Sequence, residues 1–237
     1  MREAVDEVLE GADAGFDLTI GCENGEILAR KTFNPRLGIV GGISILGTSG
    51  LVEPMSLSAY MASIEVYIRV ALADGAEVAY APGKIGTAFA RSALKLPPKR
   101  IVSISNFIGF ALDYTERELT EQNRRLPALW VIGHPGKLVK PLAGDWDTHS
   151  SKSSMAMRAV AQVATECGFT SRETELIATS NTVEAVLESL REHPRARDLW
   201  CEVESRITTL VRSRLTRVER LQVRLFGLNG TALGQAA

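Results

Sequence analysis

Five short apolar runs that fail to alternate restrict what this chain can fold into more than any other feature. They are Leu18-Thr19-Ile20, Ile43-Ser44-Ile45-Leu46, Glu77-Val78-Ala79-Tyr80, Ile101-Val102-Ser103-Ile104 and Ala128-Leu129-Trp130-Val131-Ile132. Most are bounded by Gly, Pro or Asn, and most lack the polar alternate positions of a half-solvated strand. They read as strands covered on both faces.

The intervening segments carry a helical period. After Ser56, a plausible N-cap, the positions Leu57, Tyr60, Met61, Ile64, Ile68 and Ala71 form one apolar stripe, with Glu65 and Arg69 spaced for an i,i+4 pair. Asp74-Gly75 supplies the stop. A second helix is expected from Ile85 to Leu96, ended by Pro97-Pro98, and a third soon after Asn106, carrying Asp113, Glu116 and Glu118. Strand and helix in succession predict right-handed crossovers and an α/β fold with a mainly parallel sheet and flanking helices. One domain over 1–237 is expected, with the sheet core and ligand loops in 1–150 and helices plus an edge strand in 151–237.

The last third changes character. Lys152 to Gly168 reads as a helix, Asn181 with Glu184 resembles a capping box, and Leu199, Val203, Ile207, Leu210 and Val211 continue a helical period. Arg220-Leu221-Gln222-Val223-Arg224-Leu225 then alternates. It predicts an edge strand from about Val218 to Phe226, closed by Asn229-Gly230 and guarded by its arginines.

Composition narrows the partners. The 27 basic and 28 acidic side chains leave a net charge of −1, with no basic coat for nucleic acid and no polybasic membrane anchor. Cys22, Cys167 and Cys201 are odd in number and share no metal-type spacing, so they read as reduced thiols. The uncharged stretch Gly38 to Val52 carries five glycines and is too short to span a bilayer. A soluble, cytoplasmic protein is expected.

Open α/β sheets bind ligands beyond the carboxyl ends of their strands, and four loops there stand out. Gly47-Thr48-Ser49-Gly50-Leu51-Val52-Glu53-Pro54-Met55-Ser56 can offer backbone N–H groups to a ligand or form a tight turn; it is neither a P-loop nor a dinucleotide fingerprint. In Ser105-Asn106-Phe107-Ile108-Gly109, the simplest role for Asn106 is a helix cap. Pro82-Gly83-Lys84-Ile85-Gly86-Thr87 brackets a helix start with glycines. The densest is Gly133-His134-Pro135-Gly136-Lys137-Leu138-Val139-Lys140, followed by Gly144-Asp145-Trp146-Asp147-Thr148-His149-Ser150. Zinc on His134, Asp147 and His149 lacks a supporting spacing, a hydrolase elbow is absent, and no metal site is expected. Lys137, Lys140, Lys152 and Arg158 suit either a solvated face or carboxylate recognition. His193, before Pro194, reads as a surface residue.

Taken together these loops are not generic. The run from Asn34-Pro35-Arg36-Leu37-Gly38 through Gly41-Gly42 and Gly47-Thr48-Ser49-Gly50 to Ser56 resembles the signature of the cobalt-precorrin-5B C(1)-methyltransferase family of cobalamin biosynthesis. Ser105–Gly109, Gly133–Lys140 and Thr148-His149-Ser150 resemble its later motifs, in the same order. The resemblance implies a transferase that moves a methyl group from S-adenosylmethionine, its co-substrate, to carbon 1 of a corrinoid ring whose cobalt belongs to the substrate. It implies donor contacts from Gly47, Thr48, Ser49, Gly50, Glu53, Asn106 and Asp113, corrinoid contacts from Lys137, Lys140 and Thr148, and proton transfer by His134 or His149. It leaves a homo-oligomer open. The resemblance implies a further N-terminal region, after which this chain is expected to start. The chain departs from the family at Lys84 and at Asp145-Trp146-Asp147. The alternative is therefore a non-catalytic donor- and corrinoid-binding module that needs a partner, and a second rival is an α/β enzyme for another nucleotide.

Gly50→Val is expected to abolish binding of S-adenosylhomocysteine, measured by calorimetry, while leaving the circular dichroism spectrum intact, because the side chain fills space the ligand needs. An unfolded variant would assign the loop to turn formation.

Overall fold

The structure, a computed structural model, describes residues 7, 17, 19–32, 34–37, 39–44, 56–149 and 156–234. They belong to two compact units, Met1–Glu53 and Pro54–Ala237. In the first, a short helix α1 (Gly25–Ala29) is followed by a 3-10 turn at Asn34–Leu37. The Asn34 side chain donates to the Gly42 carbonyl at 3.2 Å. Of the first two expected strands, Thr19, Ile20, Ile43 and Ser44 form none, and Ile20 is 43% exposed. Such short runs hold no strand without a neighbouring ladder. Ile45 and Leu46, like Gly47, Thr48, Ser49, Gly50 and Glu53, lie outside the described residues.

In the second unit the chain runs α2 (Leu57–Ala73), β1 (Val78–Ala81), α3 (Lys84–Ser92), β2 (Ile101–Ser103), α4 (Ile108–Glu121) and β3 (Leu126–Gly133). It continues as α5 (Pro135–Leu138), α6 (Met157–Glu166), α7 (Ser171–Thr179), α8 (Val183–Ser189), α9 (Ala196–Arg212) and β4 (Val218–Leu225). The four strands form one sheet in the order β2-β1-β3-β4, every pair parallel. The α/β fold with a mainly parallel sheet and a C-terminal edge strand is what the sequence pattern calls for.

Side-chain alternation divides the core. Val78, Tyr80, Leu129, Val131, Leu221 and Val223 join a large cluster with α2, α4, α6 and α9. Ala79, Trp130 and Ile132 face the other way, against α3. Two-sided burial explains the near-continuous apolar runs. At the α2 start, the Ser56 side chain accepts the Ala59 N–H at 3.4 Å; past its end, Gly75 takes φ +63°. The Glu65–Arg69 pair does not form. Arg69 crosses to Glu118 at 3.5 Å and Glu65 to Arg117 at 3.8 Å, which ties α2 to α4.

Further boundaries shift for local reasons. α3 stops at Ser92, short of the prolines, and Lys95 adopts φ +51°. The cap of α8 is Thr182 rather than Asn181, with its hydroxyl on the Ala185 N–H at 3.1 Å. The true capping box is Thr170 with Glu173 at α7. His193 is part-buried at the surface: its ring stacks on Phe169 with centroids 4.4 Å apart, and Nε2 meets Glu173 at 3.2 Å.

Strand β4 is an edge strand, but its arginines do not all face water. Arg224 is 8% exposed, folds back to donate to the Val223 carbonyl at 2.8 Å, and approaches Glu204 at 4.0 Å. The Glu204 carboxylate takes the Leu225 N–H at 2.7 Å, and Arg212 donates to the Val218 and Glu219 carbonyls. Side chains from α9 thus occupy backbone groups that a second chain would need for pairing. The Asn229-Gly230 turn closes as expected, with Gly230 at φ +80°.

Two glycines on one loop separate packing from conformation. A Cβ on Gly86 would lie 2.0 Å from the Ile132 carbonyl oxygen, whereas one on Gly83 meets nothing within 4 Å. Gly86→Ala should cost about 1–3 kcal/mol in urea denaturation by overpacking, and Gly83→Ala less than about 0.5 kcal/mol. Equal losses would contradict the seating of α3 on β3.

Candidate functional site

The strand order makes the chain reverse direction across the sheet between β1 and β3: β2 is laid down on one side of β1, and β3 on the other. Ligands of open α/β sheets bind beyond the strand ends at such a switch point. Pro82 and Gly133 flank it, close enough that a Cβ on Gly133 would sit 3.3 Å from the Pro82 ring. Lys137, half-buried, reaches across it and donates from Nζ to the Pro82 carbonyl at 3.1 Å. Burial, and then the neighbouring Lys140 ammonium, hold its pKa below the ordinary lysine value. Lys140 is 8% exposed, and its Nζ donates to the Thr148 carbonyl at 3.1 Å. The two lysines therefore share a field while reaching different loops.

Two of the loops singled out by sequence are knitted together. The buried Thr148 donates its backbone N–H to the Asn106 carbonyl at 2.9 Å and its hydroxyl to the same oxygen at 3.4 Å. Phe107 and Asp147 form an antiparallel bridge, and the Gly109 N–H donates to the Trp146 carbonyl at 3.1 Å. Asn106 does not cap α4; Phe107 holds the cap position, with no side-chain bond. The Asn106 contribution here is its carbonyl, a role that its side-chain chemistry does not announce. His149 is exposed, with its backbone N–H on Asp147 Oδ1 at 3.3 Å.

His134 has both ring nitrogens engaged. Nδ1 accepts the Gly136 N–H at 3.1 Å, capping α5, and Nε2 bonds Glu184 of α8. Glu184 borders a hollow of about 750 Å³ beyond the end of β4, between Leu187, His193, Trp200 and the 227–234 segment. A second hollow, of about 360 Å³, lies beyond β2. Leu57, Met61, Phe107, Phe110 and Trp146 line it, with Asp113, Asp147 and Arg214. Asp113 pairs there with Arg214 at 2.5 Å, and the Arg214 guanidinium lies 4.3 Å over the Trp146 ring. Among the described residues, no group of three or more His, Cys, Asp or Glu is placed to hold a metal ion. In the same set, no helix is long and apolar enough to cross a membrane.

Sequence reasoning missed Arg214, Glu184 and Trp200. Arg214 carries no local signal, because it meets Asp113 from 101 positions away. Trp146 was visible as the only aromatic in the fourth loop.

Residues 1–54 match the family described as CbiD, and residues 147–237 match CbiD, C-terminal domain. Over its whole length the chain is 59% identical to a cobalt-precorrin-5B C(1)-methyltransferase of Ralstonia nicotianae, and 53% identical to one of Chromobacterium violaceum. The chain belongs to the CbiD family. It spans 62% and 63% of those two relatives. A relative with the same name from Methanocaldococcus jannaschii is 36% identical over 91% of the chain, which covers 56% of it. No solved structure matches.

Within this CbiD-family fold, the described motif residues from Ser105 to His149 gather beyond the ends of β2 and β3, with lysines as struts. Lys140→Met should therefore raise the titration midpoint of Lys137, followed by NMR of labelled lysine side chains. An unchanged midpoint would show that the two ammonium groups do not share a field. The sign for stability follows from linkage. The folded pKa of Lys137 lies below its unfolded value, so unfolding takes up a proton between the two. Wild-type stability should then rise with pH through that alkaline window, relative to Lys137→Met.

Proposed function

We propose that this chain binds S-adenosylmethionine and a cobalt corrinoid and, as part of a C-methyltransferase, methylates carbon 1 of cobalt-precorrin-5B to give cobalt-precorrin-6A. The names of the relatives and the family match support this reading. The observation that carries it is the gathering of the motif loops along the carboxyl edge of the sheet, at the switch point and beside two hollows.

The residues around the smaller hollow fit the donor. At about 360 Å³ it falls in the range of small-molecule pockets. Its Phe107, Phe110 and Trp146 rings suit a cation, and the Asp113 and Asp147 carboxylates complement an ammonium or sulfonium. The donor supplies an activated methyl group on its sulfonium, so no protein nucleophile is required. Alignment and exclusion of water are the tasks left to the protein, and proximity alone can supply ~7–11 kcal/mol.

On this reading Asn106 and Asp113 border the donor, while Lys137, half-buried at the switch point, faces the carboxylate arms of the macrocycle. Lys140 and Thr148 act from behind, holding the loops. His149, whose imidazole is exposed, is assigned to take the ring proton, and His134 to position the loop after β3.

Calorimetric titration tests the assignment. S-adenosylhomocysteine should bind the wild type at one site, and Lys137→Ala should leave that affinity within about twofold. The same variant should weaken cobalt-corrinoid binding about tenfold, an effect that shrinks as salt rises. Absence of S-adenosylhomocysteine binding would refute the donor site. Equal loss of both ligands would make Lys137 a folding residue.

A further inference from the structure

Arg214 stands out because its guanidinium is held by two groups at the mouth of the smaller hollow. One face lies 4.3 Å over Trp146, and Nη1 meets Asp113 Oδ1 at 2.5 Å. Trp146 is itself immobilised: its carbonyl takes the Gly109 N–H at 3.1 Å. Its Cβ packs so close that a methyl group on Gly109 would stand 2.7 Å away. The fork of the guanidinium is thus oriented before any ligand arrives, with an apolar floor of Leu57, Met61, Phe107 and Phe110 beneath it.

A joined carboxylate and guanidinium at a pocket mouth select among ligand head groups. A purely cationic head group could satisfy Asp113 only by leaving Arg214 unpaired, and a purely anionic one would do the reverse. A zwitterionic α-amino acid satisfies both, with its ammonium on the aspartate and its carboxylate on the arginine in a forked pair. Exchange is cheap, because the resident pair is exposed, with side chains 29% and 59% accessible, and such pairs contribute little stability. Stacking on Trp146 keeps the arginine in place while its partner changes.

We infer that Arg214 is a specificity-determining residue that recognises the α-carboxylate of the amino-acid part of the methyl donor, opposite Asp113. The inference rests on the donor-site reading above and adds to it a residue and a ligand group that the motifs do not include.

The test compares two ligands on two proteins by calorimetry: S-adenosylmethionine and its decarboxylated analogue, with wild type and Arg214→Ala. Wild type should prefer S-adenosylmethionine about tenfold or more. Arg214→Ala should bind the two alike, with its affinity for the decarboxylated analogue little changed, and Arg214→Lys should restore part of the preference. Equal binding of both ligands by wild type would overturn the role of Arg214 while leaving the donor site standing. Equal loss of both in Arg214→Ala would reduce Arg214 to a support for Trp146, and also overturn it. If wild type binds neither ligand, the donor-site reading falls, and the inference with it.

Discussion

Two lysine ammonium groups, withdrawn from water and given carbonyl oxygens instead, hold the carboxyl edge of the sheet in one arrangement. Lys137 bridges from the loop after β3 to Pro82 after β1, and Lys140 bridges to Thr148, itself bonded to Asn106 after β2. Burying an ammonium costs free energy unless its hydrogen bonds are replaced. Each carbonyl that accepts one is therefore fixed by more than local loop geometry. The loops beyond three different strands become one connected surface, and the smaller hollow inherits its shape from the Lys140–Thr148–Asn106 part of it.

That arrangement explains why the two faces of the sheet could be so unequal. One face is thickly covered by α2, α4, α6 and α9, and the other is packed by α3. The proposed site lies at the strand ends, where the peptide groups no longer serve the ladder. β4 contributes its own end to the larger hollow, while its free edge is occupied by Glu204, Arg212 and Arg224.

Much of this was legible in the sequence, for reasons specific to each element. The run Ala128–Ile132 is apolar throughout because both of its faces are covered, and α2 is bracketed by a hydroxyl cap and an Asp-Gly stop. The loops Ser105–Gly109 and Gly133–Lys140 lie at the carboxyl edge of the sheet, where the apolar runs before them placed them. What stayed hidden was long-range pairing. Arg69 had an equally good local partner in Glu65 and took Glu118 instead. Arg224 looked solvent-facing by alternation, yet Glu204, some twenty positions away, draws it into the edge. Arg214 was one arginine among many until the fold laid it on Trp146. Asn106 acts through its backbone, and no side-chain motif encodes that.

The central claim is that the donor sits beyond β2, between the Asn106–Asp113 turn and the Trp146–His149 loop. Hydrogen–deuterium exchange followed by mass spectrometry, with and without S-adenosylhomocysteine, tests it most directly. The account predicts slowed exchange in peptides covering 106–113 and 146–149, with the 227–234 segment unchanged. Protection confined to 227–234 and the α8–α9 region would place the ligand in the larger hollow and contradict it.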